Sequence, residues 1–365
     1  RICAFIAKRE VAGKEPYSNF FTVHEFSACL LYLYSYNLPL DKFSSRQDVM
    51  EPKFSGHETF PLRYGWLYKS VNLLNKKTKL STSNNEDVQD AIVELGVGKN
   101  MVNAIRYWSE ACSVIKTQKN DASQSLTEIG KYLFLPSGTL TSRSSNGAAN
   151  DPFLEKTGSI WLIHFLLNFD EDVLTSYRYF FNLSPMQNFE KEKLTYDISH
   201  DINSLCGKEV NDSTIKKDVD CFLQSYARKA SSTGKKSGNI GEEHFASPLI
   251  ELGLIKDLGK GAYSSLLEER SSLPTEIFSY ALLRFLKDIK RTDTIGFDSL
   301  LSDQCSPGKI FRLSERGLGI QLDNAVRKYP ELFVETDTQG MRQVRLMKKF
   351  SENENYHFIL DDYYR

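Results

Sequence analysis

Residues 86–126 read EDVQDAIVELGVGKNMVNAIRYWSEACSVIKTQKNDASQSL, and this stretch decides the fold. Val88, Ala91, Ile92 and Leu95 recur at helical spacing, which predicts an amphipathic helix over 86–95. Gly96-Val97-Gly98 interrupts it, and glycine supplies a left-handed turn without steric cost. A second helix is predicted over 100–112, with Met101, Val102, Ile105 and Trp108 on one side. Two helices about a glycine turn are the elements of a helix-turn-helix. Residues 113–118 alternate as a strand does, 119–122 form a turn and 123–126 return as a second strand. Another helix opens near Thr127. Helix, turn, helix and ribbon, in that order, make a winged helix.

The same plan recurs twice downstream. Over 194–226, Ile198, Ile202 and Leu205 mark one helix, residues 207–212 a turn, and Ile215, Val219, Phe222 and Leu223 a second helix. Residues 252–267 then read as a ribbon turning at Gly259-Lys260-Gly261. The third candidate has a helix over 277–289, an element over 295–301 and a turn at Ser306-Pro307-Gly308. A helix starts at Lys309, and a hairpin turns at Thr338-Gln339-Gly340. The expected fold class is mainly α with small β-hairpins, as tandem winged-helix units around a helical middle.

The boundaries follow from composition. Residues 50–136 hold the first winged-helix-like unit and its preceding motif. Residues 150–230 hold a central helical region with the second helix-turn-helix. Residues 242–350 hold the third region, and 351–365 an acidic, aromatic tail without readable periodicity. Asp151 before Pro152 reads as the N-cap of a helical region running to about Phe181. Residues 137–150 and 231–241 are rich in small polar residues and read as a linker and a flexible insert. Residues 1–49 precede the first methionine, Met50, and carry their own aromatic-rich composition, with a helix over 22–36 capped by Thr22. They read as an N-terminal extension, either foreign to the natural domain or the helix of a longer chain.

A formal net charge of −1 excludes a histone-like coat that binds nucleic acid through bulk charge, but not a basic face opposite acidic ones. The six cysteines are scattered, without zinc spacing, and suit a reducing cytoplasm. No apolar run is long enough to span a bilayer, and 160–167 reads as a buried core helix in which His164 is a satisfied core histidine. Gly96-Val97-Gly98-Lys99 lacks the spacing of a phosphate-binding loop, and no Gly-x-Ser-x-Gly elbow occurs.

Winged helices read double-stranded DNA with the second helix in the major groove and the ribbon against phosphate. The residues placed for this are Lys99, Asn100, Asn103 and Arg106 on the first unit's second helix, and Lys116 and Lys119 on its ribbon. Lys216 and Lys217 follow in the second unit, and Lys309, Arg312, Arg342 and Arg345 in the third. The same modules also dock proteins, so a non-catalytic adaptor and a transcriptional regulator stay open beside DNA chemistry. FSGHETFPLR, residues 54–63, is the most distinctive short segment. His57 and Glu58 within it, with Asp201 further on, are weak catalytic candidates. One histidine and one carboxylate fall short of a metal ligand set, so local backbone satisfaction competes with that reading.

FSGHETFPLRYGWL, ELGVGKNMVNAIRYW, LTEIGKYLF and DPFLEKTGSIWLIHFLL resemble segments of a bacterial domain-of-unknown-function family found with DNA phosphorothioation genes. The likeness runs through Ser306-Pro307-Gly308 and residues 340–344, covering nearly everything after Met50. It implies a component of a DNA sulfur-modification and phage-defence system whose family role is DNA nicking, partnered by that system's other proteins. Nicking would imply Mg or Mn held by carboxylates. The resemblance brings no residue-level catalytic motif with it.

Overall fold

Leu62, Trp66, Val71 and Leu73 are buried while Lys69 is exposed, and this one-sided burial makes α1 (Trp66–Asn75) the first core helix. Its start is fixed by Gly65 in left-handed geometry, φ 76°. The structure, a computed structural model, describes residues 49–76, 80, 85–118, 123–136, 148–228, 247–338, 340–351 and 354–365. Residues 1–48, the linker 137–147, the insert 231–241 and Lys119 lie outside the described residues.

The deciding stretch folds as α2 (Asn85–Leu95), α3 (Lys99–Ala111), β2 (Ile115–Thr117) and β3 (Gln124–Leu126), followed by α4 (Glu128–Phe134). Gly96 ends α2 with φ 64°. β2 and β3 are antiparallel, with Ile115 opposite Leu126 and Lys116 opposite Ser125. Thr127 caps α4 by accepting from the Gly130 N–H. A Cβ at Gly130 would meet Val114 O at 2.1 Å, so this close approach requires glycine.

The buried apolar run forms α5 (Thr157–Asn168), all but its first residue buried. It starts later than Asp151. That carboxylate instead accepts from the Glu155 and Lys156 N–H groups (2.9 Å each), closing a turn before the helix, and Leu154 in it has φ 57°. Nor does the region continue unbroken to Phe181. Residues 169–175 intervene, including β4 (Val173–Leu174), which pairs in parallel with β1 (Glu51–Pro52). The short α6 (Ser176–Arg178) then widens into a π turn over Tyr179–Leu183.

The second glycine-broken pair is α7 (Lys191–Cys206) and α8 (Asp212–Tyr226). It is enclosed by a four-stranded sheet in the order β5 (Asn188–Glu190), β8 (Ala262–Ser264), β7 (Ile255–Gly259) and β6 (Ala227–Arg228). Beyond it lie α9 (Thr275–Arg284), β9 (Thr294–Gly296), α10 (Phe297–Ser302), α11 (Pro307–Ile310) and α12 (Glu315–Lys328). The hairpin β10 (Phe333–Thr338) and β11 (Met341–Leu346) follows, with β9 added to β11. The element expected over 295–301 is thus a strand end joined to a short helix. The helix expected from Lys309 is only the end of α11, and α12 starts at Glu315. The tail, in which no periodicity is readable, forms α13 (His357–Tyr364), with Ile359 and Leu360 buried.

The fold is mostly helical with small sheets. One continuous core runs from Phe54 to Leu360 within the unit Val49–Arg365. At its centre His164 is held as expected of a core histidine. Its Nε2 faces Ile310 O (2.8 Å), so the carbonyl fixes the proton there and Nδ1 accepts from Tyr226 Oη (2.8 Å). Burial drives its pKa down to about 3. None of the described helices is long and apolar enough to cross a membrane.

Candidate functional site

The segment FSGHETFP folds into a strained turn. Gly56 has φ 110° and lies on the ring of Tyr107, where a Cβ would meet Cδ2 at 2.9 Å. Glu58 and Thr59 follow at φ 51° and 63°, two successive non-glycine residues in left-handed geometry. Each costs roughly 1–2 kcal/mol. The cost is offset locally: the Thr59 N–H donates to His57 Nδ1 (2.9 Å) and the Phe60 N–H to His57 O (2.8 Å).

Because Nδ1 accepts, the neutral ring carries its proton on Nε2, which lies 3.1 Å from Asp218 Oδ1 but off the line of a good hydrogen bond. Both side chains are buried. Asp218 Oδ2 accepts from the Ser176 N–H (2.8 Å). Phe60 O then takes two donors, Trp108 Nε1 from α3 (2.9 Å) and Cys221 Sγ from α8 (3.3 Å). Glu58 Oε1 accepts from Asn103 Nδ2 of α3 (3.1 Å). Tyr107 packs edge-on to His57 and its hydroxyl meets that of Tyr177 at 3.0 Å. Burial raises both phenols, Tyr177 to about 12, and also raises the Cys221 thiol, so none of them is ionised at neutral pH. The turn is therefore a splint that holds α3 and α8, the second helices of the first two glycine-broken pairs, to one short segment.

The predicted contact residues fall into groups around this splint. Lys99 and Asn100 are exposed at the start of α3, and Asn103 and Arg106 are half-buried further along it. α3 begins at Gly98 with no side-chain cap, whereas α8 is closed by Asn211, whose Oδ1 accepts from the Ser213 N–H. Lys116 is exposed on β2, and Lys216 and Lys217 are exposed on α8. Arg345 is exposed on β11, while Arg342 beside it is bound by Glu335 and by Asp323 (2.8 Å). Lys309 is half-buried. Arg312 is 3% exposed and donates to Met186 O (2.7 Å) and Ser265 O, so it lies inside the fold and not on the exposed helix face expected of it. Its apolar neighbours come from distant segments, which local spacing does not register.

The three catalytic candidates have separate partners. His57 faces Asp218 and Glu58 faces Asn103. Asp201, on α7, is held by Tyr179 Oη (2.6 Å) and His200 Nδ1 (2.9 Å), which keep its carboxyl below the usual range. Among the described residues no three His, Cys, Asp or Glu side chains group as a metal-holding set. Sequence reasoning missed Asp218, Tyr107 and Tyr177. Asp218 interrupts an otherwise apolar stripe on α8, and that interruption is the signal that marks it.

A family model described as "Protein of unknown function (DUF4007)" matches residues 54–364, starting at the first residue of the FSGHETFP turn. The chain belongs to the DUF4007 family. The match takes in the splint, both glycine-broken pairs and the tail helix of this DUF4007 chain. It is similar to the magnesium ion-bound crystal structure of SspB, with 27% identity over 88% of this chain and 90% of that one, TM-score 0.69. A second SspB crystal structure matches with 27% identity, 87% and 89% coverage and TM-score 0.68. No match is found among curated proteins.

Proposed function

We propose that this DUF4007 chain is the DNA-contacting component of a bacterial DNA phosphorothioation and phage-defence system, acting in the cytoplasm beside that system's other proteins. The observation that carries the reading is α3. Its apolar stripe is anchored in the core, its N-terminus lacks a side-chain cap, Lys99 and Asn100 are exposed there, and a ribbon bearing exposed Lys116 follows directly. Free N–H groups and cations at a helix start suit phosphate. In this reading residues 50–136 are a winged helix, 150–230 and 242–350 contain two further such units, and Lys216, Lys217 and Arg345 extend the contact. The SspB likeness supports the assignment to a sulfur-modification system.

Retention of a DNA duplex by the purified chain, measured against salt, tests the reading. Binding that weakens steeply as salt rises is the expected result. No retention at low salt leaves a protein-docking adaptor, and sequence-specific retention without modification partners favours a transcriptional regulator.

A second reading, metal-dependent nicking, is motivated by the magnesium in the similar SspB structure. The described residues do not form an all-protein cage for such an ion. Magnesium commonly takes one or two carboxylates and completes its shell with water and phosphate. Relaxation of supercoiled plasmid with Mg²⁺ or Mn²⁺, abolished by EDTA, supports nicking; intact plasmid under both conditions removes it.

A further inference from the structure

Residues 265–270 run beside residues 312–314, laced by the Glu268 N–H to Arg312 O (3.1 Å) and the Ser314 N–H to Glu268 O (2.9 Å). Arg270 and Arg312 sit on these two segments, both in left-handed geometry (φ 52° and 53°) and both buried. Their guanidinium groups converge on adjacent carbonyls. Arg312 Nη2 donates to Ser265 O, and Arg270 Nη2 to Leu266 O (2.6 Å). Phe180 lies against Arg312 at 5.2 Å. Burial and the neighbouring Arg270 push the Arg312 pKa down to about 10, and burial followed by Arg312 lowers that of Lys309.

The compensating charge is one carboxylate. Glu268 accepts from Arg270 Nη1 (2.9 Å), but it is half-exposed and lies 3.9 Å from Lys256 as well. Neither Arg312 nor Lys309 makes an ion pair among the described residues. Three buried polar atoms here have no partner among the described residues: Ser265 Oγ, Arg270 Nε and Arg312 Nε. A purely structural tether accounts for the carbonyl contacts. It leaves two mutually repelling guanidinium groups and three unmade hydrogen bonds, each a substantial cost in the interior.

We infer that Arg270, Arg312 and Ser265 hold a single tetrahedral oxyanion of the phosphate type. Such an ion neutralises the excess charge and offers acceptors to both Nε–H groups and the serine hydroxyl. The site is distinct from the α3 surface and does not depend on the DNA reading. The shared chemistry is that of free inorganic phosphate or of a backbone phosphate in nucleic acid.

Thermal unfolding of the full chain, titrated with inorganic phosphate at ionic strength held constant with chloride, tests it. The expected result is a saturable rise of roughly 2–4 °C. Ser265→Ala, which removes only the buried unpartnered hydroxyl, should raise the phosphate concentration needed by roughly tenfold. No rise beyond that of chloride, or an unchanged titration in Ser265→Ala, overturns the inference. A DNA duplex that competes with phosphate assigns the site to a backbone phosphate; additive binding assigns it to the free ion. A phosphate shift without DNA retention upholds this site while removing the DNA reading.

Discussion

The two glycine-broken helix pairs begin alike and close differently. α2 ends at Gly96 (φ 64°) and α7 at Gly207 (φ 60°), each turning into a second helix whose apolar stripe enters the core. After α3 the chain makes a self-contained ribbon, β2 paired with β3. After α8 it makes β6, which pairs in parallel with β7 of a sheet that also holds β5 from before α7. The helix starts differ as well: α3 is uncapped and begins with Lys99, while α8 has an asparagine cap and Asp212 in its first turn. An acidic, capped start is self-sufficient, and an open, basic start leaves N–H groups for an anion. The comparison teaches that one local pattern serves two ends. Both second helices meet the splint; the first keeps an open, basic start, and the second leads into a sheet as well.

The strongest way to break this contrast is to cut the splint. Asp218→Ala leaves the His57 Nε2–H and the Ser176 N–H facing no acceptor and should cost about 2–4 kcal/mol, read by urea denaturation. A loss below 1 kcal/mol would mean that the turn does not hold α3 against α8.

Acid attacks the core shared by both pairs. His164 is depressed to about 3 in the fold against 6.5 unfolded, so between these values the unfolded chain binds the extra proton. Stability should therefore be complete above pH 6.5 and fall on acidification by about 1.4 kcal/mol per pH unit from this group, flattening near pH 3. His164→Gln should flatten that slope by about one proton in a pH series of denaturation midpoints, though it lowers stability overall.

The surfaces can be compared directly. Lys99→Gln with Lys116→Gln should weaken duplex retention about tenfold and reduce the salt slope by about two. Lys216→Gln with Lys217→Gln should have the smaller effect if α8 serves the scaffold more than the surface. Equal losses would make the two pairs functionally equivalent.

The smallest effect tests the turns. Gly207→Ala should cost about 1 kcal/mol by denaturation, since its left-handed backbone disfavours a Cβ while no close contact blocks one.

Local pattern in the sequence was enough for α3, α8, the β7–β8 ribbon and the β10–β11 hairpin, because 3.6-residue and two-residue periods are written in neighbouring residues. It was also enough to single out residues 54–63 and to treat His164 as a core residue. What it left open depends on partners far along the chain. The tail became a helix because Tyr363 accepts from the Gly158 N–H (2.8 Å) and Tyr132 donates to Asp361 (2.9 Å). Arg312 went inside because carbonyls of residues 186 and 265 waited for it. His57 met Asp218 across 161 positions of chain rather than Glu58 beside it. Periodicity records which face of a segment is apolar; only the closed fold decides what that face, and each buried charge, will meet.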